Sequence, residues 1–214
     1  MLAVQVKPEE EILPRISSKR LFIFQCPGCQ EVYFPRGDAE AIIGKLRLSE
    51  EIVGEASLDY LCNRDFVQEY IKEYSQQIDE AQVILVFSCG VGTQVVSSLL
   101  DDKVVYTCCD TLYLNGFQGL NALKFNCDQC GECYLNYTGG ICPLTNCPKA
   151  LLNGPCGGAR EGKCEVNPDA DCAWVLIHDR LKRMGKLDSL KRVILPRDYS
   201  KIIKESLSRE RIGR

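Results

Sequence analysis

A chain of 214 residues, 45% hydrophobic and 26% charged, can build one ordinary core with a small satellite, which excludes disorder throughout. Its net charge of −3 argues against a general nucleic-acid binder, and no run of about 18 apolar residues is present to insert in a membrane. The first ten residues lack the basic-then-apolar layout of a signal peptide, so the expected location is cytoplasmic.

In chain order, Leu21-Phe-Ile-Phe reads as a buried strand and residues 38–48 as a helix. Residues 52–58 form a second expected strand. Residues 64–78 follow as a helix, with Phe66, Val67, Tyr70, Ile71 and Tyr74 at helical spacing. Val83-Ile-Leu-Val-Phe is a continuous apolar run of the kind a parallel sheet buries on both faces, followed by a helix over 93–100. Val104-Val-Tyr gives a fourth strand. The fold class expected is therefore α/β: a small parallel-sheet N-terminal domain over residues 1–120, a Cys-rich cluster-binding segment over 121–175, and a C-terminal helix with a basic tail over 176–214. Residues 173–184 read as that helix, with Trp174, Ile177 and Leu181 on one stripe, and Leu195-Pro196 ends any longer one. From Lys186 to Arg214 there are nine basic and four acidic residues, a distribution suited to docking an acidic partner surface or to a solvated tail.

Fourteen cysteines stand against a single histidine. Without an export signal the thiols are expected to stay reduced, so metal binding accounts for them better than disulfides, and nearly all-thiolate sites mean tetrahedral zinc or iron–sulfur clusters. Cys127-Asp-Gln-Cys130-Gly-Glu-Cys133 places three sulfurs on one tight loop, as three corners of a cubane require. Zinc ribbons use pairs of C-x₂-C instead, so the spacing favours iron–sulfur. Cys142, Cys147, Cys156, Cys164 and Cys172 bring the segment to eight thiols, enough for two four-ligand sites. The expected partition is Cys127, Cys130, Cys133 and Cys172 at one site and Cys142, Cys147, Cys156 and Cys164 at the other. Gly139, Gly140, Gly154, Gly157 and Gly158 either bring backbone N–H groups close to sulfur or simply make turns.

In the first half, Cys26 and Cys29 follow the first strand, Cys62 the second and Cys89 the third. Strand carboxyl ends of a parallel sheet share one rim, so these four thiols are expected to converge on a metal, zinc or a cluster. The alternatives are buried structural thiols at Cys62 and Cys89, and a redox dithiol at Cys26 and Cys29, although the latter normally opens a helix and here Val32-Tyr-Phe-Pro is extended. Cys108 and Cys109 are left over. Cys89-Gly-Val-Gly-Thr does not complete a G-x-G-x-x-G fingerprint, and His178 has no cysteine at ligand spacing. No catalytic set can be picked out.

Ser88-Cys-Gly-Val-Gly, the Cys127–Cys133 run, Thr138-Gly-Gly-Ile-Cys-Pro, Leu152-Asn-Gly-Pro-Cys-Gly-Gly, Gly162-Lys-Cys-Glu-Val, Asp171-Cys-Ala-Trp and Asp179-Arg-Leu together resemble the MetV-type small subunit of bacterial methylenetetrahydrofolate reductases, also described as the methylenetetrahydrofolate reductase C-terminal domain family. The resemblance spans about residues 24–187 and is weakest at Cys26-Pro-Gly-Cys29. It implies [4Fe–4S] clusters, two or three of them, with zinc an option at the N-terminal site. It also implies a MetF-type flavoprotein partner that reduces methylenetetrahydrofolate, further electron-transfer subunits, and a place in acetogenic one-carbon metabolism, the Wood–Ljungdahl pathway. Two other functions compete with this electron relay: a zinc-stabilised scaffold tethering an oxidoreductase to its complex, and a metal-delivery or cluster-assembly factor.

Overall fold

The computed structural model describes residues 2–29, 32–112 and 126–198. The parallel sheet is built from β2 (Arg20–Gln25), β4 (Glu51–Ser57), β5 (Val83–Phe87) and β6 (Val104–Thr107), in the order β4-β2-β5-β6 with every pairing parallel. Alternation along the strands separates two cores, as a period of two residues dictates. Leu21, Ile23, Leu85 and Phe87 point to one side, where α1 (Glu9–Ile16) and α2 (Arg36–Ser49) contribute Ile12, Ile16, Ile43 and Leu46. Phe22, Phe24, Ile84 and Val86 point to the other, against Val67 of α3 (Arg64–Glu73), Ile78 of α4 (Ser75–Glu80) and Val95 and Val96 of α5 (Gly90–Leu99). Both faces are covered, which is why β5 is buried at all five positions.

The helix expected over 64–78 is broken at Tyr74, whose φ of −101° and ψ of 20° end α3 and allow α4 to restart. A second sheet, not expected from the sequence, has the order β3-β1-β7, with β1 at Leu2–Val6, β3 at Val32–Tyr33 and β7 at Cys109–Leu112. β1 runs antiparallel to β7, with Gln5 opposite Asp110 and Val6 opposite Cys109. An isolated bridge from Leu112 to Cys130 then ties the Cys-rich segment to this sheet.

Beyond residue 126 regular structure is sparse: α6 (Pro143–Asn146) is one turn, α7 (Ala173–Arg183) is the expected helix, and a 3₁₀ turn spans Leu187–Lys191. The core of this region is small, with Cys172, Trp174, Ile177 and Leu181 buried together and Ile141 and Cys147 packed on them. The basic tail beyond Asp198 lies outside the described residues.

Arg180 fixes α7 to the sheet domain. Its guanidinium is 3% exposed and donates to the carbonyls of Gly139, Ser97, Leu100 and Lys103 and to Ser97 Oγ. Ser97 Oγ also donates to the Gly139 carbonyl, and a Cβ at Gly140, where φ is +87°, would overlap that hydroxyl. Here glycine is required both by backbone hand and by space.

Cys108, fully buried between β6 and β7, supplies a pH signature. Burial pushes its thiol from 9.0 up to about 12, against a smaller opposing pull from Lys7. The unfolded chain therefore loses this proton first, so folding stability is fully present below pH 9 and declines as pH rises through 12. Of the loss that unfolding in urea shows across that window, Cys108 should account for a share on the order of 4 kcal/mol. Cys108→Ala should flatten the slope.

Candidate metal centres

Cys127, Cys130, Cys133 and Cys142 line one cavity, together with Gly90, Gln94, Thr111 and Leu144. Asp128 is the single carboxylate in its wall and no histidine enters it. The loop that carries the first three thiols is bent by two left-handed residues, Gln129 with φ 51° and Gly131 with φ 69°, and the Gln129 N–H is thereby aimed at Cys127 Sγ, 3.4 Å away. Gly131 N–H is anchored on the Thr111 carbonyl at 2.9 Å. Cys142 arrives as the residue preceding α6, and that turn is tied back to the loop by Thr145 Oγ1 donating to the Asn126 carbonyl at 3.3 Å.

Cys147, Cys156, Cys164 and Cys172 line a second cavity, beside Pro148, Lys149, Glu165 and Trp174. Two backbone bonds explain the presence of Cys172: its N–H donates to the Gly162 carbonyl at 2.7 Å, and Cys164 N–H donates to the Ala170 carbonyl at 3.0 Å. The resulting tight reversal carries Cys172 back to Cys164. The cavity walls group the thiols otherwise than the partition expected from the sequence: Cys142 lines the cavity of the C-x₂-C-x₂-C run, and Cys172 that of the later thiols. Of the glycines, Gly158 approaches sulfur, its N–H lying 3.4 Å from Cys156 Sγ, whereas Gly154 and Gly157 have positive φ and open space where a Cβ would stand, so they serve as turns.

Burial dominates the chemistry of the first cavity. The thiols of Cys127 and Cys133 are both raised far above the ordinary range by loss of solvent, opposed by backbone N–H donors from Gln129 and Leu135 respectively, and Cys130 is raised for the same reason. Such thiols are protonated at neutral pH until a cation displaces the proton, so loading must release protons and weaken in acid.

Next to Cys133 lies a buried ion pair. Lys7, which follows β1 and is 2% exposed, places Nζ 2.7 Å from Asp110 Oδ1 and 3.1 Å from Glu11 Oε2. The same Asp110 oxygen accepts the Cys133 N–H at 2.6 Å. Burial alone would lower the Lys7 ammonium, but the carboxylate of Asp110 overrides it and holds the ammonium above its usual range.

The N-terminal thiols gather on the rim formed by the carboxyl ends of β2, β4 and β5. Cys26 N–H continues the sheet by donating to the Phe87 carbonyl at 3.0 Å, Cys62 sits in the turn before α3, and Cys89 directly precedes α5. Burial raises the Cys26 thiol to about 12 and the Cys62 thiol to about 11, and both feel the charges of Cys89 and Cys29. Cys26 and Cys62 are therefore each within electrostatic reach of Cys89 and Cys29. Cys29 does not open a helix, since β3 intervenes before α2, which removes the geometric basis for a redox dithiol. Cys89 also acts electrostatically on Cys127, and its neighbour Gly90 packs so close that a Cβ there would stand 3.1 Å from Cys127 Sγ.

Among the described residues no group of three or more His, Cys, Asp or Glu side chains is gathered closely enough to hold a metal ion. One zinc needs all four sulfurs about 2.3 Å from a single point, whereas a cubane gives each thiolate an iron of its own. The donor set, eight sulfurs with no imidazole, fits clusters. A cavity of about 430 Å³ between Tyr137, Trp174, His178 and Arg192 contains no thiol, and His178 is half-exposed beside Asp179. No helix among the described residues is long and apolar enough to cross a membrane.

Residues 106–200 match the family model described as methylene-tetrahydrofolate reductase C terminal. The match covers both thiol cavities except the walls supplied by Gly90 and Gln94. No curated protein and no solved structure matches the chain at a significant level.

Proposed function

We propose, from the match of residues 106–200 to the methylene-tetrahydrofolate reductase C-terminal family, that this chain is a subunit of such a reductase and carries electrons between a donor and the flavin of a MetF-type catalytic partner. The observation that carries the reading is the sorting of eight thiols into two cavities of four, each lacking histidine. Cys127, Cys130, Cys133 and Cys142 would hold one [4Fe–4S] cluster and Cys147, Cys156, Cys164 and Cys172 another. Bound there, such clusters take up and release single electrons.

The chain's own residues supply the surroundings. The N–H of Gln129 faces the Cys127 sulfur and favours its anionic form, and the N–H of Gly158 faces the Cys156 sulfur. Trp174, whose indole N–H is satisfied by the Leu151 carbonyl at 3.1 Å, walls the second cavity with an apolar surface. At the sheet rim Cys26, Cys29, Cys62 and Cys89 would hold a third metal group, zinc or a cluster, and would tie three strand ends together.

Protein purified without oxygen should be brown, contain iron and acid-labile sulfide, and lose much of its visible absorption on adding dithionite. A colourless protein with stoichiometric zinc and no iron would remove the relay reading. With clusters present, adding the flavoprotein partner should reoxidise the dithionite-reduced subunit as the flavin is reduced, in a stopped-flow spectrum free of excess reductant.

A further inference from the structure

Burying an ion pair costs desolvation that an apolar pair of similar volume would avoid, so a buried Lys–Asp contact needs a reason other than stability. Asp110 lies on β7 opposite Gln5, and Lys7, just beyond β1, has its N–H bonded to the Cys108 carbonyl at 2.8 Å, so neither charge is free to wander. The carboxylate oxygen that holds Lys7 also holds the backbone of Cys133. Two fixed charges of opposite sign therefore stand beside one wall of the first thiol cavity, where low polarisability lets them act over several ångströms. Glu11, the other partner of Lys7, has a side chain 40% exposed and is screened by solvent.

We infer that the Lys7–Asp110 pair sets the reduction potential of the cluster held by Cys127, Cys130, Cys133 and Cys142, with Lys7 favouring electron uptake and Asp110 anchoring both the lysine and the Cys133 backbone. The inference rests on the iron–sulfur reading above. Adding an electron makes the cluster more negative, so a neighbouring cation raises its potential and a neighbouring anion lowers it. The second cavity has no comparable buried pair in its wall; its Lys149–Glu165 contact is at the surface.

The test is a redox titration of the full chain at mildly alkaline pH, followed by electron paramagnetic resonance, for wild type, Asp110→Asn, Lys7→Met, Lys7→Arg and the Lys7→Met/Asp110→Asn double variant. Asparagine keeps an oxygen for the Cys133 N–H while removing the charge. Asp110→Asn should shift the first cluster's midpoint to more positive values and Lys7→Met to more negative ones. The double variant should fall between them and Lys7→Arg close to wild type, while the second cluster's midpoint stays fixed in every protein. Shifts of one sign in both single variants, equal shifts at both clusters, or no shift would overturn the inference while leaving the clusters intact. Because Lys7→Arg retains the charge and Asp110→Asn the hydrogen bond, loss of the first signal in both would assign the pair a structural role and overturn it too. Absence of iron in the wild type would sink the iron–sulfur reading itself.

Discussion

Cys142→Ala should abolish the same spectroscopic signal as Cys130→Ala, and Cys172→Ala the same signal as Cys164→Ala. Each variant should retain about half of the iron and sulfide that the two Cys-rich sites hold in the wild type, because a lost ligand empties one four-thiol site without touching the other. The pairing follows from the cavity walls, where Cys142 faces Cys127, Cys130 and Cys133, and Cys172 faces Cys147, Cys156 and Cys164. Iron and sulfide analysis with electron paramagnetic resonance of the four anoxically purified variants provides the check. If Cys142→Ala and Cys164→Ala instead lose one common signal, the assignment made here is wrong.

Arg180→Met should be the most damaging single change outside the thiols. Methionine keeps much of the apolar stem but withdraws every donor, leaving the Ser97 and Lys103 carbonyls in a buried region without the guanidinium that served them. Unsatisfied buried acceptors cost about 1–3 kcal/mol each, so a total of roughly 3–5 kcal/mol is expected. For a chain of this size that lowers Tm by on the order of 10 °C. Arg180→Lys should recover little, because an ammonium cannot span carbonyls that a planar fork reaches together. Thermal unfolding monitored by circular dichroism on anoxically purified protein is the measurement; a Tm within about 2 °C of wild type for Arg180→Met would show that the clasp contributes little.

The parallel sheet was legible because Leu21–Phe24 and Val83–Phe87 are apolar at successive positions, a pattern that fits burial on both faces. The second sheet was not legible. Its strands are short and carry Gln5, Asp110 and Thr111, and what makes Leu2–Val6 a strand is its pairing with residues more than a hundred positions away. α1 contains Pro14, which local rules count against a helix, yet Ile12 and Ile16 bury against the sheet and hold it. The break at Tyr74 was hidden because apolar spacing continues through Ile78 on both sides of it.

Which of the cysteines line a common cavity was not legible. Three sulfurs in C-x₂-C-x₂-C must be neighbours, whatever the fold. Which distant cysteine joins them is decided by backbone bonds such as Cys172 N–H to Gly162 and by the side-chain tie from Thr145 to Asn126, and neither leaves a trace in spacing. The placement of Cys26, Cys62 and Cys89 after the carboxyl ends of three parallel strands was readable from strand order. The Lys7–Asp110 contact was invisible for the same reason as the second sheet that creates it.

Cys142 and Cys147 bracket α6, so a single helical turn is all that lies between the two cavities. At about 1.5 Å of rise per residue, the four residues of α6 span roughly 6 Å, and the extended cysteines at its two ends add to that. Charge hopping from one inorganic core to its neighbour would then need no hinge, swing or docking event inside this subunit. Turnover would be paced at its two ends, where donor and acceptor must come and go.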